Sequence, residues 1–151
     1  MIDQRFKGYT TAPSTVQVDA WRVKLFCQAI GETNAVHWDA NAAHAQGYTH
    51  CPVPPTFLKA LESEHFSSAA LLRVLTVSVG KVLHAEQSFD YIRPVHVGDV
   101  VEISRSITDL YDKREGSMSF IVVRTDYRVE QQAVGSSIQT IMIRNQDPAV
   151  P

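Results

Sequence analysis

Residues 82–91 read Val-Leu-His-Ala-Glu-Gln-Ser-Phe-Asp-Tyr, and this stretch decides the class of fold. Apolar and polar side chains alternate along it, from Leu83 to Tyr91. A period of two residues with one polar face predicts a β-strand. His84 and Glu86 fall on the predicted polar face, which either lines a cleft or faces solvent.

Three further strands are predicted after this one, at residues 100–111, 117–130 and 134–144. Turn-forming residues separate them at 112–116 and 131–132. Connections this short cannot cross over to join parallel strands. The C-terminal half therefore predicts an antiparallel meander.

The N-terminal part has a helical pattern. Apolar residues recur at spacings of three and four over residues 18–30, which predicts a helix. Asp19 is suited to start it and Gly31 to end it in a left-handed conformation. We expect Trp21 and Phe26, on the apolar stripe, to lie in the core.

Two more helices are predicted before the strands. A short Ala-rich helix spans residues 39–46, and the prolines of residues 52–55 separate it from a third helix that Thr56 caps. One face of the third helix carries Phe57, Leu58, Leu61 and His65. Helices followed by long antiparallel strands indicate an α+β fold whose sheet wraps around this central helix.

Length and composition set the protein class. The 151 residues are 44% hydrophobic and 20% charged, as in ordinary globular domains. We expect one domain over residues 1–146 and a disordered tail over 147–151. No basic-then-apolar leader or apolar run of about 18 residues is present, so we expect no membrane span and a cytoplasmic location.

Charge and cysteine content exclude further classes. The net charge of -2, without a Lys/Arg cluster, argues against binding to nucleic acid or to an anionic membrane. Cys27 and Cys51 are expected to be reduced thiols without a catalytic role. The histidines at 37, 44 and 50 lack the compact spacing of a zinc site, so no metal is expected.

The stretch at residues 26–37 reads Phe-Cys-Gln-Ala-Ile-Gly-Glu-Thr-Asn-Ala-Val-His and is followed by Ala43. It resembles the signature of the MaoC-like, type-2 enoyl-CoA hydratase family: an aromatic residue, a Gly-bearing turn, an acidic residue, Asn-Pro, an aliphatic residue, His and, six positions on, a small residue. Glu32 stands where Asp is usual and Ala35 where Pro is usual. Further segments resemble the dehydratase N-terminal-domain branch of that family, namely residues 47–48, 53–57, 82–87 and 91–94.

The resemblance implies a single hot-dog fold, dimerisation, and (R)-specific, reversible hydration of a trans-2-enoyl-CoA without metal or redox cofactor. Hydration needs a base for water, an acid for the α-carbon, and donors to the thioester oxygen. Glu32 and His37 are the predicted acid/base pair, in either order. The backbone N–H groups near Thr56 and Phe57 are the predicted donors. The substrate-binding candidates are Gly31, Asn34, Pro55, Thr56, Phe57 and His84.

Two other functions remain open from the sequence. The chain is a non-catalytic acyl-CoA-binding subunit of a heterodimeric dehydratase, or it is a hot-dog thioesterase that hydrolyses the same thioesters. Homodimerisation is slightly preferred over pairing with a different hot-dog subunit. A contact to coenzyme A phosphates has four arginine candidates, Arg93, Arg105, Arg124 and Arg128.

Overall fold

The computed structural model of the chain describes residues 2–145, so the predicted tail at 147–151 lies outside the described residues. The strands are β1 (Ser14–Gln17), β2 (Val82–Tyr91), β3 (Val100–Lys113), β4 (Met118–Val129) and β5 (Gln132–Arg144). The helices are α1 (Ala20–Ile30), α2 (Ala40–Ala45), α3 (Phe57–His65) and α4 (Ser68–Val74). Short 3-10 turns lie at Gln4–Phe6, Ala35–His37 and Val79–Lys81.

The five strands form one antiparallel sheet in the order β1-β3-β4-β5-β2. The predicted antiparallel pairing is confirmed, and so is the meander of β3, β4 and β5. The expected place of β2 was wrong, because β2 pairs with β5 at the far edge rather than with β3. Residues 92–99 connect β2 to β3. They lie beside the segment that precedes α3, because the Val53 N–H donates to the Val95 carbonyl (2.8 Å).

Helix α3 packs on the inner face of the sheet, as predicted for the central helix. Phe57, Leu58 and Leu61 are buried there in one cluster with side chains of β3, β4 and β5. His65 was expected on the same face, but it is exposed, and its Nδ1 lies 3.3 Å from the Ser14 hydroxyl. Within residues 2–145 no helix is long and apolar enough to cross a membrane.

Helix α1 buries a different stripe from the one predicted. Gly31 ends the helix in the left-handed region (φ 72°), as expected, and its N–H donates to the last-turn carbonyls. The buried residues are Val23 and Cys27, whereas Trp21 is 67% exposed. The expectation that Trp21 lies in the core was wrong, because the sheet and α3 contact the adjacent stripe. Phe26 is partly buried against the core.

A β-bulge separates the two polar residues of β2 that were expected to share a face. His84 faces Ile141 of β5, whereas Glu86 faces Thr140, so Ala85 is the extra residue. Cross-strand neighbours point to the same side of a sheet. His84 therefore lies on the inner, helix-bearing face and Glu86 on the outer face.

A buried charged group joins α3 to the sheet. Glu62 is 1% exposed, and one of its carboxylate oxygens accepts hydrogen bonds from Lys59 (2.8 Å) and lies 3.4 Å from Arg105 Nε. The other oxygen accepts from the Tyr127 hydroxyl (2.9 Å). Burial lowers the pKa of Arg105, and the negative charge of Glu62 opposes that shift. Burial raises the pKa of Tyr127, and Glu62 raises it further.

Replacing Glu62 with alanine should destabilise the fold strongly. The change leaves Arg105, which is 4% exposed, as an uncompensated buried charge, and losing one partner of a buried pair costs about 3–5 kcal/mol. Glu64→Ala is the matched control, since Glu64 lies in the same helix with a half-exposed ion pair to Arg22 and should cost about 1 kcal/mol at most. Urea unfolding of both variants measures the difference, and equal losses would contradict the assignment.

Candidate active site

The loop between α1 and α2 carries the predicted acid/base pair. Gly31 turns the chain out of α1, and the Glu32 N–H donates to the Cys27 carbonyl (2.8 Å), which fixes where the loop begins. Asn34 then caps a 3-10 turn, because its side-chain oxygen accepts from the Val36 N–H (3.2 Å). Asn34 therefore shapes this turn through its hydrogen bond, and the turn ends at His37.

The Glu32 carboxylate is held by the backbone of its own loop. Its Oε1 accepts from the Asn34 N–H at 2.8 Å. This hydrogen bond is the main cause that lowers the pKa of Glu32, and burial opposes it. The Thr33 N–H and the nearby charge of His37 lower the pKa further by smaller amounts. Glu32 is therefore ionised at neutral pH, which suits it to accept a proton or a hydrogen bond rather than to donate one.

The imidazole of His37 is fixed by a single strong contact. Its Nδ1 lies 2.7 Å from the carbonyl oxygen of Pro52. A carbonyl only accepts, so Nδ1 carries the hydrogen and donates it. In neutral His37 the proton is thus absent from Nε2, whose lone pair is left to take up a proton.

His37 lines a cavity of about 460 Å³ between the loop, the start of α3 and the end of β2. The volume lies within the range of small-molecule sites. Its lining includes Asn34, Val36, His37, Gln46, Tyr48, Pro52, Val53, Pro55, Leu58, Tyr91, Ile92, Arg93, Pro94 and Val95. Glu32 lies instead in an adjacent groove with Lys24, Gln28, Thr33 and Trp38.

The start of α3 differs in detail from the prediction. Pro55 lines the cavity, but the Phe57 side chain is buried in the core, and its N–H donates to the Pro54 carbonyl (2.9 Å). The Phe57 N–H is therefore already engaged. Thr56 is exposed at the N-cap of α3, and within residues 2–145 its N–H has no backbone partner. One predicted donor of the two is thus left for a thioester oxygen.

Gly31 and His84 are not brought to the cavity wall of their own chain. Gly31 ends α1 and acts by turning the chain. His84 lies seven positions along β2 from Tyr91, which is about 23 Å in a strand. A single chain therefore gathers Asn34, His37 and Pro55 around one cavity, with Glu32 beside it and His84 remote.

The cavity also contains two residues that were not proposed as site residues, together with one of the four candidate arginines. Tyr48 and Tyr91 line it, and burial raises the pKa of Tyr91. Arg93 lines it too, donating to the Val129 carbonyl (3.2 Å) while its buried Nε has no partner. All three residues lie in the segments 47–48 and 91–94 of the family resemblance, which is the sequence signal that pointed to them.

The three other candidate arginines lie outside the cavity, and Arg128 is an exposed residue of β4. Arg105 is buried against Glu62 in the core, which removes it from contact with a coenzyme. Arg124 pairs with Asp126 at 2.9 Å on the outer side of β4. In the described part of the chain, no three His, Cys, Asp or Glu side chains come together as metal ligands, and both cysteines are free thiols.

Comparison with known proteins identifies the family. A family model described as "FAS1-like, dehydratase domain region" matches residues 5–135. The chain belongs to this dehydratase family. A UPF0336 protein of Streptomyces griseus subsp. griseus is 31% identical over 107 residues, which cover 70% of this chain and 71% of the relative.

Solved structures of dehydratases share the fold of this family member. The C-terminally truncated HadBC (3R-hydroxyacyl-ACP dehydratase) complex of Mycobacterium tuberculosis matches with a TM-score of 0.77 at 21% identity, over 91% of this chain and 96% of that chain. The (R)-hydratase of A. caviae involved in PHA biosynthesis matches with 0.68 at 19% identity, over 89% and 94%. The predicted hot-dog fold and the MaoC-like resemblance are confirmed.

The tautomer of His37 can be tested without any assay of activity. We expect the neutral imidazole to carry its proton on Nδ1, because the Pro52 carbonyl accepts there. Nitrogen-15 chemical shifts of the histidine side chains report this directly, and His50, exposed on the following loop, serves as a reference. A neutral His37 protonated on Nε2 would contradict the assignment.

Proposed function

We propose that the chain catalyses the reversible, (R)-specific hydration of a trans-2-enoyl thioester to a 3-hydroxyacyl thioester. The observation that carries this proposal is the geometry of His37: its Nδ1 is bonded to the Pro52 carbonyl, and the imidazole lines a substrate-sized cavity. The ionised Glu32 lies close enough for its pKa to respond to the charge of His37. A base held in one tautomer beside a carboxylate suits general acid/base catalysis.

In the proposed hydration, His37 carries the proton and Glu32 supplies charge. Water adds its oxygen to C3 of the enoyl group, and the C2–C3 π electrons move towards the thioester carbonyl to give an enolate. The proton lost by the water passes to His37 Nε2 and is then returned to C2. One water is consumed, nothing is oxidised or reduced, and the reverse sequence is the dehydration.

Glu32 supports this transfer as a carboxylate. One of its oxygens holds the Asn34 N–H, and a carboxylate has further acceptor positions for a water hydrogen. Its negative charge stabilises the imidazolium form of His37 while that residue holds the proton. The sequence left open which of Glu32 and His37 transfers the proton. The proposal assigns proton transfer to His37 and charge stabilisation to Glu32.

The enolate oxygen needs a donor, and the Thr56 N–H is the proposed one. Thr56 stands at the N-terminus of α3, beside Pro55 of the cavity wall. A helix N-terminus favours negative charge, and its first N–H groups have no partner within the helix. Apolar cavity walls around Val36, Leu58 and Ile92 fit the acyl part of the substrate.

A non-catalytic, substrate-binding subunit is the second candidate function. Glu32 carries one more methylene than the usual Asp, and its carboxylate is drawn to the Asn34 N–H in a groove next to the cavity rather than inside it. A displacement of about 1 Å from the productive geometry can reduce a rate roughly a hundredfold. The HadBC dehydratase, similar to this chain in fold, is by name a complex. In that case the chain binds acyl thioesters, and a second hot-dog subunit performs the hydration.

Purified protein incubated with crotonyl-CoA should reduce the enone absorbance at the rate of hydration. His37→Ala and Glu32→Gln should each lower kcat by about 10²–10⁴-fold, the usual contribution of a positioned acid/base group. His65→Ala is the matched control, because this exposed histidine lies at the opposite end of α3 from Thr56. Crotonyl-ACP in place of crotonyl-CoA tests which carrier is used.

The outcomes separate the candidate functions. Hydration lost in both site variants and retained in the control supports the enzyme. Acyl-CoA binding without hydration indicates the non-catalytic subunit, and release of free thiol indicates a thioesterase. Neither binding nor turnover would contradict the substrate class.

A further inference from the structure

A second cavity, of about 120 Å³, lies between the C-terminal end of α3, helix α4 and strand β3. The nine residues of α3, about 13 Å of helix, separate it from the cavity that contains His37. It opens to solvent beside Ser67 and Ala70, which are exposed. Most of its wall is apolar and includes Phe66, Leu71, Val74, Ile107 and Val123. A mostly apolar cavity with a few polar groups is the usual form of a small-molecule site.

Arg105 of β3 brings a charged group to this apolar wall. Its side chain is 4% exposed, and its guanidinium lies 5.8 Å from the centroid of the Phe66 ring, so the charged end reaches the cavity. A guanidinium has five N–H donors. Among the side chains that the structure describes, it donates one hydrogen bond, to the Phe66 carbonyl (3.4 Å), and its buried Nε has no hydrogen-bond partner. Most of these donors therefore lack an acceptor within the described part of the chain.

The positive charge around Arg105 is only partly balanced. The Oε1 of Glu62 lies 3.4 Å from Arg105 Nε, but the same oxygen accepts a hydrogen bond from Lys59 at 2.8 Å. Within residues 2–145, no other carboxylate lies within 4 Å of either cation. Two positive charges and one negative charge leave the cluster with one uncompensated positive charge. A buried charge without full compensation is costly, so an anion beside Arg105 would be stabilised.

We infer that this second cavity, here called the Arg105 cavity, binds a small aliphatic monocarboxylate. The carboxylate accepts hydrogen bonds from the guanidinium, and the aliphatic chain packs against the apolar wall. Volume limits the chain to about three or four carbons, since an apolar cavity of about 150 Å³ in another protein holds benzene. The inference goes beyond the proposed hydration and does not rest on it.

The rest of the wall favours a carboxylate over a phosphate. A phosphate group presents several strong acceptor oxygens, and each needs a donor when it is buried. The Thr11 hydroxyl, which also lines the cavity, is engaged with the backbone of Arg105, because it accepts from the Arg105 N–H at 3.2 Å. Apolar residues such as Leu71 and Val74 offer no donor. A monocarboxylate has its two oxygens at one end, which matches one arginine in an apolar cavity.

Titration with butyrate, followed through backbone amide chemical shifts, tests the site. We expect saturable changes at Ser67, Ala70 and Ser106 with a Kd on the order of 1 mM, as suits a ligand of about six heavy atoms. Butyramide has the same shape without the charge and should bind at least about tenfold more weakly. Equal affinity for the two compounds, or no saturable change at concentrations well above that Kd, would overturn the inference.

Filling the cavity should abolish binding without disturbing Arg105 or Glu62. Ala70→Leu places a larger side chain at the rim, and leucine is a good helix former. Ala69→Leu is the matched control, because Ala69 precedes it in α4 and does not line the cavity. We expect butyrate to raise the Tm of the wild type and of Ala69→Leu, and to leave that of Ala70→Leu unchanged. A rise in Ala70→Leu equal to that of the wild type, or no rise in either variant, would contradict the site.

The titration needs no turnover, so its result is separate from that of the hydration assay. Absence of hydration with saturable binding of butyrate refutes the proposed enzyme and keeps the Arg105 cavity. Hydration without butyrate binding does the reverse. If butyrate instead shifts the amides of His37 and Tyr48 and competes with crotonyl-CoA, the ligand occupies the cavity that contains His37, and the inference is overturned.

Discussion

The buried carboxylate of Glu62 is the contact on which the site depends. It accepts from the Tyr127 hydroxyl of β4 and from Lys59 of its own helix, and it faces Arg105 of β3. Burying charged and polar groups costs free energy of folding unless each group is paired. Few other positions of α3 on the sheet would keep all of these groups paired. The position of α3 along the sheet in turn sets where Thr56 and Pro55 stand. A network far from the reacting atoms thus fixes one wall of the cavity.

The opposite wall depends on a loop whose shape is set by backbone hydrogen bonds. Gly31 turns the chain, Asn34 caps the 3-10 turn, and the Pro52 carbonyl holds the ring of His37. Because the proline-rich segment before α3 supplies that carbonyl, the same segment positions both the histidine and the helix start. The same segment therefore positions both the residue proposed for proton transfer and the N–H group proposed to stabilise the enolate.

Part of the wall of the proposed site is exposed in the single chain. The cavity opens beside Tyr91 and Ile92, and Ile92 is 65% exposed. Water in an open cavity would weaken the electrostatic contribution of Glu32 and of the helix end.

The sequence alone determined α1, α2, α3 and the four strands from β2 to β5, because helix and strand periods and the glycine stop at Gly31 act over a few residues. It did not predict the short elements β1 and α4. It did not determine which α1 stripe is buried, the place of β2 beside β5, or the opposite faces of His84 and Glu86. Those features depend on contacts between residues distant in the chain and on a single bulge that shifts a period of two. The Glu32 carboxylate and the Phe57 N–H were bound by local partners, the Asn34 N–H and the Pro54 carbonyl, and the residue pattern alone did not show which of these groups would pair.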